Sequence, residues 1–310
     1  MIQIYKTVEN ELLTLDTIEE GIWVNLVNPS FSEINETSER FNIEINDLKA
    51  ALDKEERARI ETEENYFVIL VDVPIIEKDS NSEIYSTIPL AIILSKSFII
   101  TVCTKELPLL NEFINKKVRG FFTFKKTRFI LQILHRNASY FLRYLRLIDR
   151  KSNQIEEELH KSMKNKELIH LLALEKSLVY FSTSLRANEI VLERMLRLEN
   201  IKKYPDDKDL LEDVIIENKQ AIEMANIYSK ILSETRDAFS SVISNNLNIV
   251  MKFLTSITIV MSIPTIISSF YGMNVGLPMS KNPNAFLYIL LITFVLSIVS
   301  AFIMAKKKMF

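Results

Sequence analysis

The chain of 310 residues carries a formal charge of −2, and this charge is unevenly distributed along the sequence. All 40 acidic residues precede position 250, while five lysines follow that position and 33 basic residues lie before it. The excess of acid over base in this first part argues against nucleic acid as a partner, and it is compatible with the attraction of cations.

Residues 1–125 have the pattern of a compact α/β domain. Strands are predicted over 2–5, 22–27, 66–73, 87–94 and 98–103, and helices after the capping residue Ser30, over 46–52 and over 108–113. The last three strands are apolar almost without interruption, so both faces of the sheet are expected to be covered. Cys103, the only cysteine, lies in one of these runs, which predicts a buried thiol and no intramolecular disulfide.

The middle of the chain is predicted to be almost wholly helical. Residues 126–205 indicate two long antiparallel helices, near 127–162 and 166–203, that end at the breaker Tyr204-Pro205. Nothing afterwards stops a helix before Pro264, and a helix over 209–271 would be ~95 Å long at ~1.5 Å per residue. The segment 206–250 is predicted to be a stalk whose apolar seam is interrupted by Asn218 and Ser229.

Two uncharged runs near the carboxyl end, 253–271 and 285–305, contain 19 and 21 residues. Each run is long enough to cross a hydrocarbon core of ~30 Å as a helix. We therefore predict a first transmembrane helix over 251–272, an outer loop over 273–284, a second transmembrane helix over 285–305 and a basic tail over 306–310.

Lysines close to these spans predict the orientation of the protein in the membrane. Lys252 precedes the first span, and Lys306, Lys307 and Lys308 follow the second, whereas the loop contains only Lys281. By the positive-inside rule both termini are cytoplasmic and the loop faces outward, so the N-terminal domain and the stalk are cytosolic parts of a multi-pass plasma-membrane protein.

One face of the first span carries polar or small residues. They recur at steps of three and four residues, with one methionine among them: Asn248, Met251, Thr255, Thr258, Ser262, Thr265, Ser269 and Gly272. Because polar groups without partners are costly in lipid, this face is expected to turn away from lipid. The spacing allows either a helix–helix seam or a wall facing water, and both can hold around a pore.

The residues that follow this face carry a family resemblance. Tyr271-Gly272-Met273-Asn274 closes the first of two C-terminal spans, after a hydroxyl-rich helix containing Pro264, and lysines follow the second span. This combination resembles the pore signature of the CorA family of divalent-cation channels, and a weaker similarity covers the whole chain. The resemblance implies an α+β membrane protein that forms a funnel-like homo-oligomer, a homopentamer in this family, with membrane lipid and its own copies as partners.

The resemblance also implies the ion and the site residues. Mg²⁺ would be both the transported and the regulatory ion, with Co²⁺ and Ni²⁺ as further cargoes, and passage would be passive and driven by the membrane potential. The selectivity site would consist of Tyr271, Gly272, Met273 and Asn274, and the pore would be lined by Asn248, Met251, Leu254, Thr255, Thr258, Ser262, Thr265 and Ser269. Mg²⁺ bound between neighbouring cytosolic domains would hold the pore shut, with Asp72, Asp79, Asp213 and Glu217 as candidate ligands.

Several features limit or compete with this interpretation. Met251 and Leu254 would narrow the pore or would simply pack against the second span. The outer loop contains no acidic residue, unlike many CorA-like chains, so electrostatic capture of cations near Lys281 should be weak. A Zn²⁺ transporter on the same scaffold is disfavoured because no soft ligands line the span. A non-conducting coiled-coil scaffold would make the polar face and Asn274 incidental.

An enzyme is not expected from this sequence. Its four glycines form no phosphate-binding loop of standard spacing, and its three histidines have no metal-ligand partner at i+4. No pair of nucleophile and base is evident either. The chemistry that the sequence offers is therefore the binding and passage of ions.

Overall fold

The computed structural model describes residues 2–9, 11–79, 82–162, 165–198, 204–278 and 282–307, with the side chains of 78, 79, 82, 160–162 and 165 left aside. The chain divides into two compact units, Met1–Thr235 and Arg236–Phe310. The first contains a mixed sheet and most of the helices, and the second contains the two apolar runs.

The sheet of the first unit has seven strands in the order β2-β1-β3-β7-β6-β5-β4. They are β1 (Ile2–Val8), β2 (Glu11–Leu15), β3 (Ile22–Val27), β4 (Arg59–Thr62), β5 (Tyr66–Asp79), β6 (Ser82–Ser95) and β7 (Phe98–Cys103). Strands β3 and β7 pair in parallel, and the other described pairs are antiparallel. The sheet is therefore mixed, with helical connections joining its two halves.

Seven helices have described bounds: α1 (Phe31–Phe41), α2 (Ile45–Ala50), α3 (Pro108–Ile114), α4 (Lys126–Ser162), α5 (Asn165–Met195), α6 (Pro205–Tyr271) and α7 (Ala285–Lys306). The predicted cap at Ser30 is confirmed, because its hydroxyl accepts from the Glu33 N–H while the Glu33 carboxylate accepts from the Ser30 N–H. Helix α6 begins at Pro205, where a missing N–H costs no helical hydrogen bond.

Both faces of the sheet are covered, as the apolar strands predict. On β3, Val24 faces one side and joins a core that includes Ile34 of α1 and Leu48 of α2. Its neighbour Trp23 points to the other side, where its ring packs edge-on against Phe129 of α4 at 5.1 Å. This alternation lets one strand contribute to two cores, which explains why the central strands have few polar residues.

The predicted antiparallel helix pair is confirmed. Only two residues separate α4 from α5, and the Phe141 and Phe181 rings of the two helices pack edge to face at 5.1 Å. Both rings are fully buried. The first part of α6 belongs to the same unit, where Asn218 is 3% exposed and its Nδ2 donates to the Leu185 carbonyl of α5 at 3.0 Å. Asn218, which interrupts the apolar seam, thus forms a hydrogen bond between α6 and α5.

Several predicted bounds were wrong, for identifiable reasons. Strands β2 and β4 were not predicted because they are edge strands without a fully buried side chain and therefore lack an apolar face. Strands β5 and β6 extend beyond their predicted ends as a 14-residue ribbon whose distal part includes the partly exposed Glu77. Helix α2 ends at Ala50, and α5 ends at Met195, before the predicted limit near residue 203, which lies outside the described residues.

The buried thiol is confirmed. Cys103 ends β7, has 0% exposure, and its Sγ lies 3.8 Å from the Leu26 carbonyl oxygen. Burial is the largest cause that raises the pKa of this thiol to about 12. A thiol with so little thiolate at neutral pH is chemically inert.

Candidate functional site

Helix α6 ends immediately before the motif that closes the first apolar run. The Gly272 N–H donates to the Ser268 carbonyl at 3.0 Å, and the Met273 N–H donates to the Phe270 carbonyl at 3.2 Å, so the last turn tightens. Asn274 follows this turn and is exposed, as are Tyr271 and Met273. The amide of Asn274 therefore stands just beyond the end of the helix.

The single chain does not explain why position 272 is a glycine. Its φ does not lie in the left-handed region, and an added Cβ would meet the Ser268 carbonyl at 3.4 Å and the Ser269 carbonyl at 3.5 Å. Both are ordinary van der Waals contacts. An alanine would thus fit at this position within one chain.

Four of the five hydroxyls on the polar face of α6 bond to their own helix. Thr255, Thr258, Ser262 and Thr265 donate to the carbonyls of Met251, Leu254, Thr258 and Met261 at 2.7, 2.9, 2.7 and 3.1 Å. Each hydroxyl has then used its one proton, and its oxygen lone pairs are left as acceptors. The face therefore presents a row of neutral acceptor oxygens.

This hydrogen-bond pattern alone does not single out the polar face. Ser256 of α6 and Thr293 of α7 make the same bond to the carbonyl four residues earlier, at 2.8 Å each. Neither of them lies on the polar face. What distinguishes the face is therefore the alignment of its oxygens at steps of three and four residues.

The remaining residues of the predicted pore are exposed on α6. Met251 is 52% and Leu254 56% exposed, and Asn248 and Ser269 are also exposed. Helices α6 and α7 are both long and apolar enough to cross a membrane. Because an isolated chain exposes its lipid-facing and its pore-facing residues alike, exposure does not decide between these two environments.

Two of the acidic candidates lie together on α6. Asp213 and Glu217 are one helical turn apart, and Asp213 is exposed. Glu217 accepts a hydrogen bond from the Ser139 hydroxyl at 3.0 Å and pairs with His135 Nε2 at 3.4 Å, both on α4. The bond from His135 is the largest cause that lowers the pKa of Glu217. Its carboxylate is thus charged and already held by α4.

Asp72 belongs to a different cluster. It lies on β5, and burial is the largest cause that raises the pKa of its carboxyl, opposed by a hydrogen bond from Ser184. Among the described residues no lysine, arginine or histidine pairs with it, and no group of three or more potential metal ligands forms. The side chain of Asp79 lies outside the described residues.

Two asparagines that hold Asp72 were not recognised in the sequence. The Asp72 N–H donates to Asn188 Oδ1, and its carbonyl accepts from Asn137 Nδ2 and Asn188 Nδ2, each at 2.8 Å. Strand β4 begins at Arg59, opposite Leu70, so beyond Leu70 these amides replace the missing neighbour strand. Both asparagines are at most 4% exposed, and a polar residue within an otherwise apolar helical face was the available signal.

Replacing His135 with glutamine should destabilise the folded protein more at about pH 5.5 than at about pH 8.5. The bond to Glu217 raises the pKa of His135, so the stabilisation that His135 gives the folded protein is complete below the pKa of the unfolded state. This stabilisation is lost as the pH rises through the pKa of the folded state. The pKa of Glu217 is lowered, so its contribution to stability is complete above the pKa of the unfolded state. That contribution is lost as the pH falls through the pKa of the folded state.

With side chains 34% and 30% exposed, the pair should contribute at most about 1 kcal/mol. Thermal unfolding of the full-length protein at both pH values, with a Glu217→Gln variant as the partner control, measures this difference. An equal loss of stability at the two pH values would contradict the assigned pairing.

The basic positions near the spans are only partly described. Lys306 and Lys307 are exposed at the end of α7, whereas Lys281 and Lys308 lie outside the described residues. The expectation of weak cation capture in the outer loop therefore stays a prediction.

A mixed α/β unit followed by two long apolar helices defines the class of two-span membrane proteins with a folded N-terminal domain. Within that class, the chain belongs to the family of CorA-like Mg²⁺ transporter proteins, whose family model matches residues 19–307. The resemblance inferred from the motif at Tyr271 to Asn274 and from the two spans is thereby confirmed.

Similar proteins agree with this family. The cobalt/magnesium transport protein CorA of Methanocaldococcus jannaschii is 27% identical over 291 residues, covering 92% of this chain and 90% of that protein. The complete structure of the CorA magnesium transporter from the same organism superposes with a TM-score of 0.83 at 25% identity, over 98% of this chain and 96% of that one. Full-length CmaX shares the fold, with a TM-score of 0.70 at 13% identity over 98% and 96% of the two chains.

Proposed function

We propose that this chain forms a homopentameric channel through which Mg²⁺, and also Co²⁺ and Ni²⁺, passes down its electrochemical gradient. Family membership and the relative from M. jannaschii support transport of Mg²⁺ and Co²⁺. The observation that carries the proposal is the row of acceptor oxygens on α6, which leads to the exposed amide of Asn274.

The chemistry of hydrated Mg²⁺ matches such a row. The ion gives up its water reluctantly, and bound water molecules direct their hydrogens outward, so a conduit has to offer acceptors. The hydroxyls of Thr258 and Thr265, whose protons are engaged by backbone carbonyls, can only accept. At the outer end, the carbonyl oxygens of five copies of Asn274 would form a ring for an arriving ion. The absence of carboxylates from residues 253–271 avoids binding too tight for release.

The membrane potential supplies the driving force. With both termini in the cytoplasm, a divalent ion that enters a negative interior gains roughly 4.6 kcal/mol per 100 mV. Near the inner end, rings of exposed Met251 and Leu254 side chains would close the pore by excluding water. No covalent chemistry is required of the protein at any step.

Cytosolic Mg²⁺ would gate this pore by binding between neighbouring protomers. Asp72 is the strongest candidate ligand, because its partly buried carboxylate has no cationic partner among the described residues and its backbone is fixed by Asn137 and Asn188. Asp213 is exposed and would complete such a site from α6, whereas Glu217 would first have to leave His135. Asp79 remains a further candidate.

Reconstitution of the full-length protein into liposomes with a negative interior tests this proposal. Wild type should admit Mg²⁺ and Co²⁺, and Asn274→Ala should lower Mg²⁺ flux about fivefold, the equivalent of losing about 1 kcal/mol of hydrogen bonding. Ion-sensitive dyes inside the liposomes report Mg²⁺, Co²⁺, Ni²⁺ and Zn²⁺ separately.

The outcomes separate the three functions considered. Preferential Zn²⁺ flux would favour the zinc transporter, and no flux of any ion would favour a non-conducting scaffold. Equal Mg²⁺ flux through wild type and Asn274→Ala would refute the selectivity ring. Light scattering of the purified protein checks the expected pentamer.

A further inference from the structure

The N-terminal unit contains a positively charged stretch, although acidic residues outnumber basic ones in the chain before position 250. Residues 113–148 include no aspartate or glutamate and nine lysines or arginines: Lys116, Lys117, Arg119, Lys125, Lys126, Arg128, Arg136, Arg143 and Arg146. Such an accumulation of one charge in an otherwise acidic unit raises the electrostatic energy of the folded state unless anions lie nearby. The stretch plays no part in the proposed passage of cations.

Several of these cations line one groove, which we call the basic groove. It has a volume of about 380 Å³, lies between the α3–α4 connection, the start of α4 and Leu210 of α6, and is lined by Lys117, Arg119, Arg128, Gln132, His135 and Arg136 together with Val118. This volume is in the range of roughly 300–1,000 Å³ typical of small-molecule sites. None of the described residues that line the groove is an aspartate or a glutamate.

Three carboxylates hold side chains of the groove without lining it, and one of them is Glu217, which pairs with His135 Nε2 at 3.4 Å. Glu112 pairs with Arg136 Nε at 3.4 Å and accepts from the Tyr140 hydroxyl at 2.8 Å. Asp207 pairs with Arg128 at 3.4 Å, with its side chain only 8% exposed. These contacts orient the guanidinium groups, in the way that supporting residues fix the members of a binding site.

Two cations of the groove are uncompensated. Lys117 and Arg119 take part in no ion pair within the part of the chain that the structure describes. They are presented by the turn between α3 and α4, where Lys116 and Gly120 adopt positive φ values of 56° and 67°. An arginine and a lysine that line one groove without an ion-pair partner among the described residues are suited to a phosphate group.

Gln132 ties the turn that presents Arg119 to α4. Its Nε2 donates to the Arg119 carbonyl at 3.3 Å. The backbone of the turn is thereby fixed to the helix whose Arg128 and Arg136 line the same groove.

We propose that the basic groove binds a soluble polyphosphate of the nucleoside triphosphate class. Lys117, Arg119 and Arg136 would hold the phosphate oxygens. An adjoining cavity of about 520 Å³ shares Arg128 and is lined by two lysines, Lys125 and Lys126, and by two aspartates, Asp206 and Asp207. Phe124 and Tyr204 also line it, and these residues are 55% and 57% exposed. Exposed aromatic rings beside a basic site suit a stacked base.

The competing explanation is that acidic side chains of a second copy neutralise the groove in the oligomer. The two explanations differ in what the unpaired cations do, since Lys117 and Arg119 would bind a soluble anion in one case and hold protomers together in the other. A measurement that follows anion binding and oligomeric state in the same samples separates them.

Calorimetric titration of the full-length protein in detergent and Mg²⁺-free buffer, with ATP, tripolyphosphate and inorganic phosphate as probes, tests the proposal. We expect ATP and tripolyphosphate to bind saturably and about tenfold more tightly than phosphate. The double variant Lys117→Gln/Arg119→Gln should weaken both about tenfold. The control Lys166→Gln/Arg186→Gln removes the same two residue types from exposed positions on α5 and should bind as wild type does.

Three results would overturn the assignment: no saturable binding of any probe, equal binding by wild type and Lys117→Gln/Arg119→Gln, or ATP binding without tripolyphosphate binding. Dissociation of the oligomer by this variant, seen by light scattering, would assign the groove to an interface between copies instead. Because the readout is binding rather than flux, these results leave the proposed transport function unaffected.

Discussion

Gly272→Ala is expected to abolish Mg²⁺ flux into liposomes while the chain folds and assembles as before. In the single chain, the added methyl group meets only carbonyl oxygens at 3.4 and 3.5 Å, and φ requires no glycine, so the fold tolerates it. Around the axis of the proposed pentamer, five added methyl groups would crowd the outer mouth next to Asn274. Steric closure of a narrow site stops ions more completely than the loss of one hydrogen bond.

Gly276→Ala is the matched control for this prediction. An added Cβ at Gly276 meets nothing within 4 Å, and the residue lies four positions further along the same loop. Its flux should equal that of wild type. Undiminished flux through Gly272→Ala, with intact assembly by light scattering, would show that Gly272 does not line the mouth of a pore.

Removal of the acceptor oxygens from the polar face is the second change with a large expected effect. In Thr258→Val/Thr265→Val, two hydroxyls are replaced by methyl groups of similar shape, so the volume of the helix is conserved. Each hydroxyl is worth about 1 kcal/mol to a hydrated ion, so the double variant should lower Mg²⁺ flux about thirtyfold. Flux of the reconstituted protein at fixed membrane potential measures the effect.

Thr293→Val on α7 provides the control for this series. Thr293 makes the same bond to its helix as Thr258 does, at 2.8 and 2.9 Å, but it lies outside the polar face. Comparison of single variants at the two positions therefore cancels the effect of the lost backbone bond. A similar reduction by Thr258→Val and Thr293→Val would mean that the polar face of α6 is a helix–helix seam rather than a wall of the pore.

Asp72 and the basic groove, both in the first unit, favour ions of opposite charge. A partly buried Asp72 without a cationic partner favours a bound cation, and loss of Mg²⁺ would leave like charges between protomers. The basic groove has the opposite preference. An acidic domain that binds Mg²⁺ at one site and a polyphosphate at another would respond to two species that also bind each other in solution.

Local sequence patterns predicted most of the central fold. The apolar runs around Val24 and Ile100, the cap at Ser30 and the breaker at Pro205 each act through near neighbours, so they could be recognised without the structure. The edge strands β2 and β4 could not, because their existence depends on a partner strand rather than on burial of their own side chains.

Some features of the candidate site could likewise be recognised in the sequence, and others required the structure. The sequence located the polar face and the motif at Tyr271 to Asn274, because helical spacing and span length are properties of consecutive residues. It listed Asp72 and Glu217 without distinguishing between them. Only the structure revealed that Glu217 is held by His135. It also revealed that Asp72 is clamped by Asn137 and Asn188 and pairs with no cationic side chain among the described residues.

The sequence by itself therefore determined the membrane spans, the family and the row of oxygens on α6, since each follows from periodicity within one helix or from a contiguous motif. The tertiary structure alone decided which distant side chains meet: the amides on Asp72, the partner of Glu217, and the cations gathered in the basic groove. The physical reason is that pairing between residues 65–116 positions apart depends on how the strands and helices pack, which no local pattern of hydrophobicity specifies.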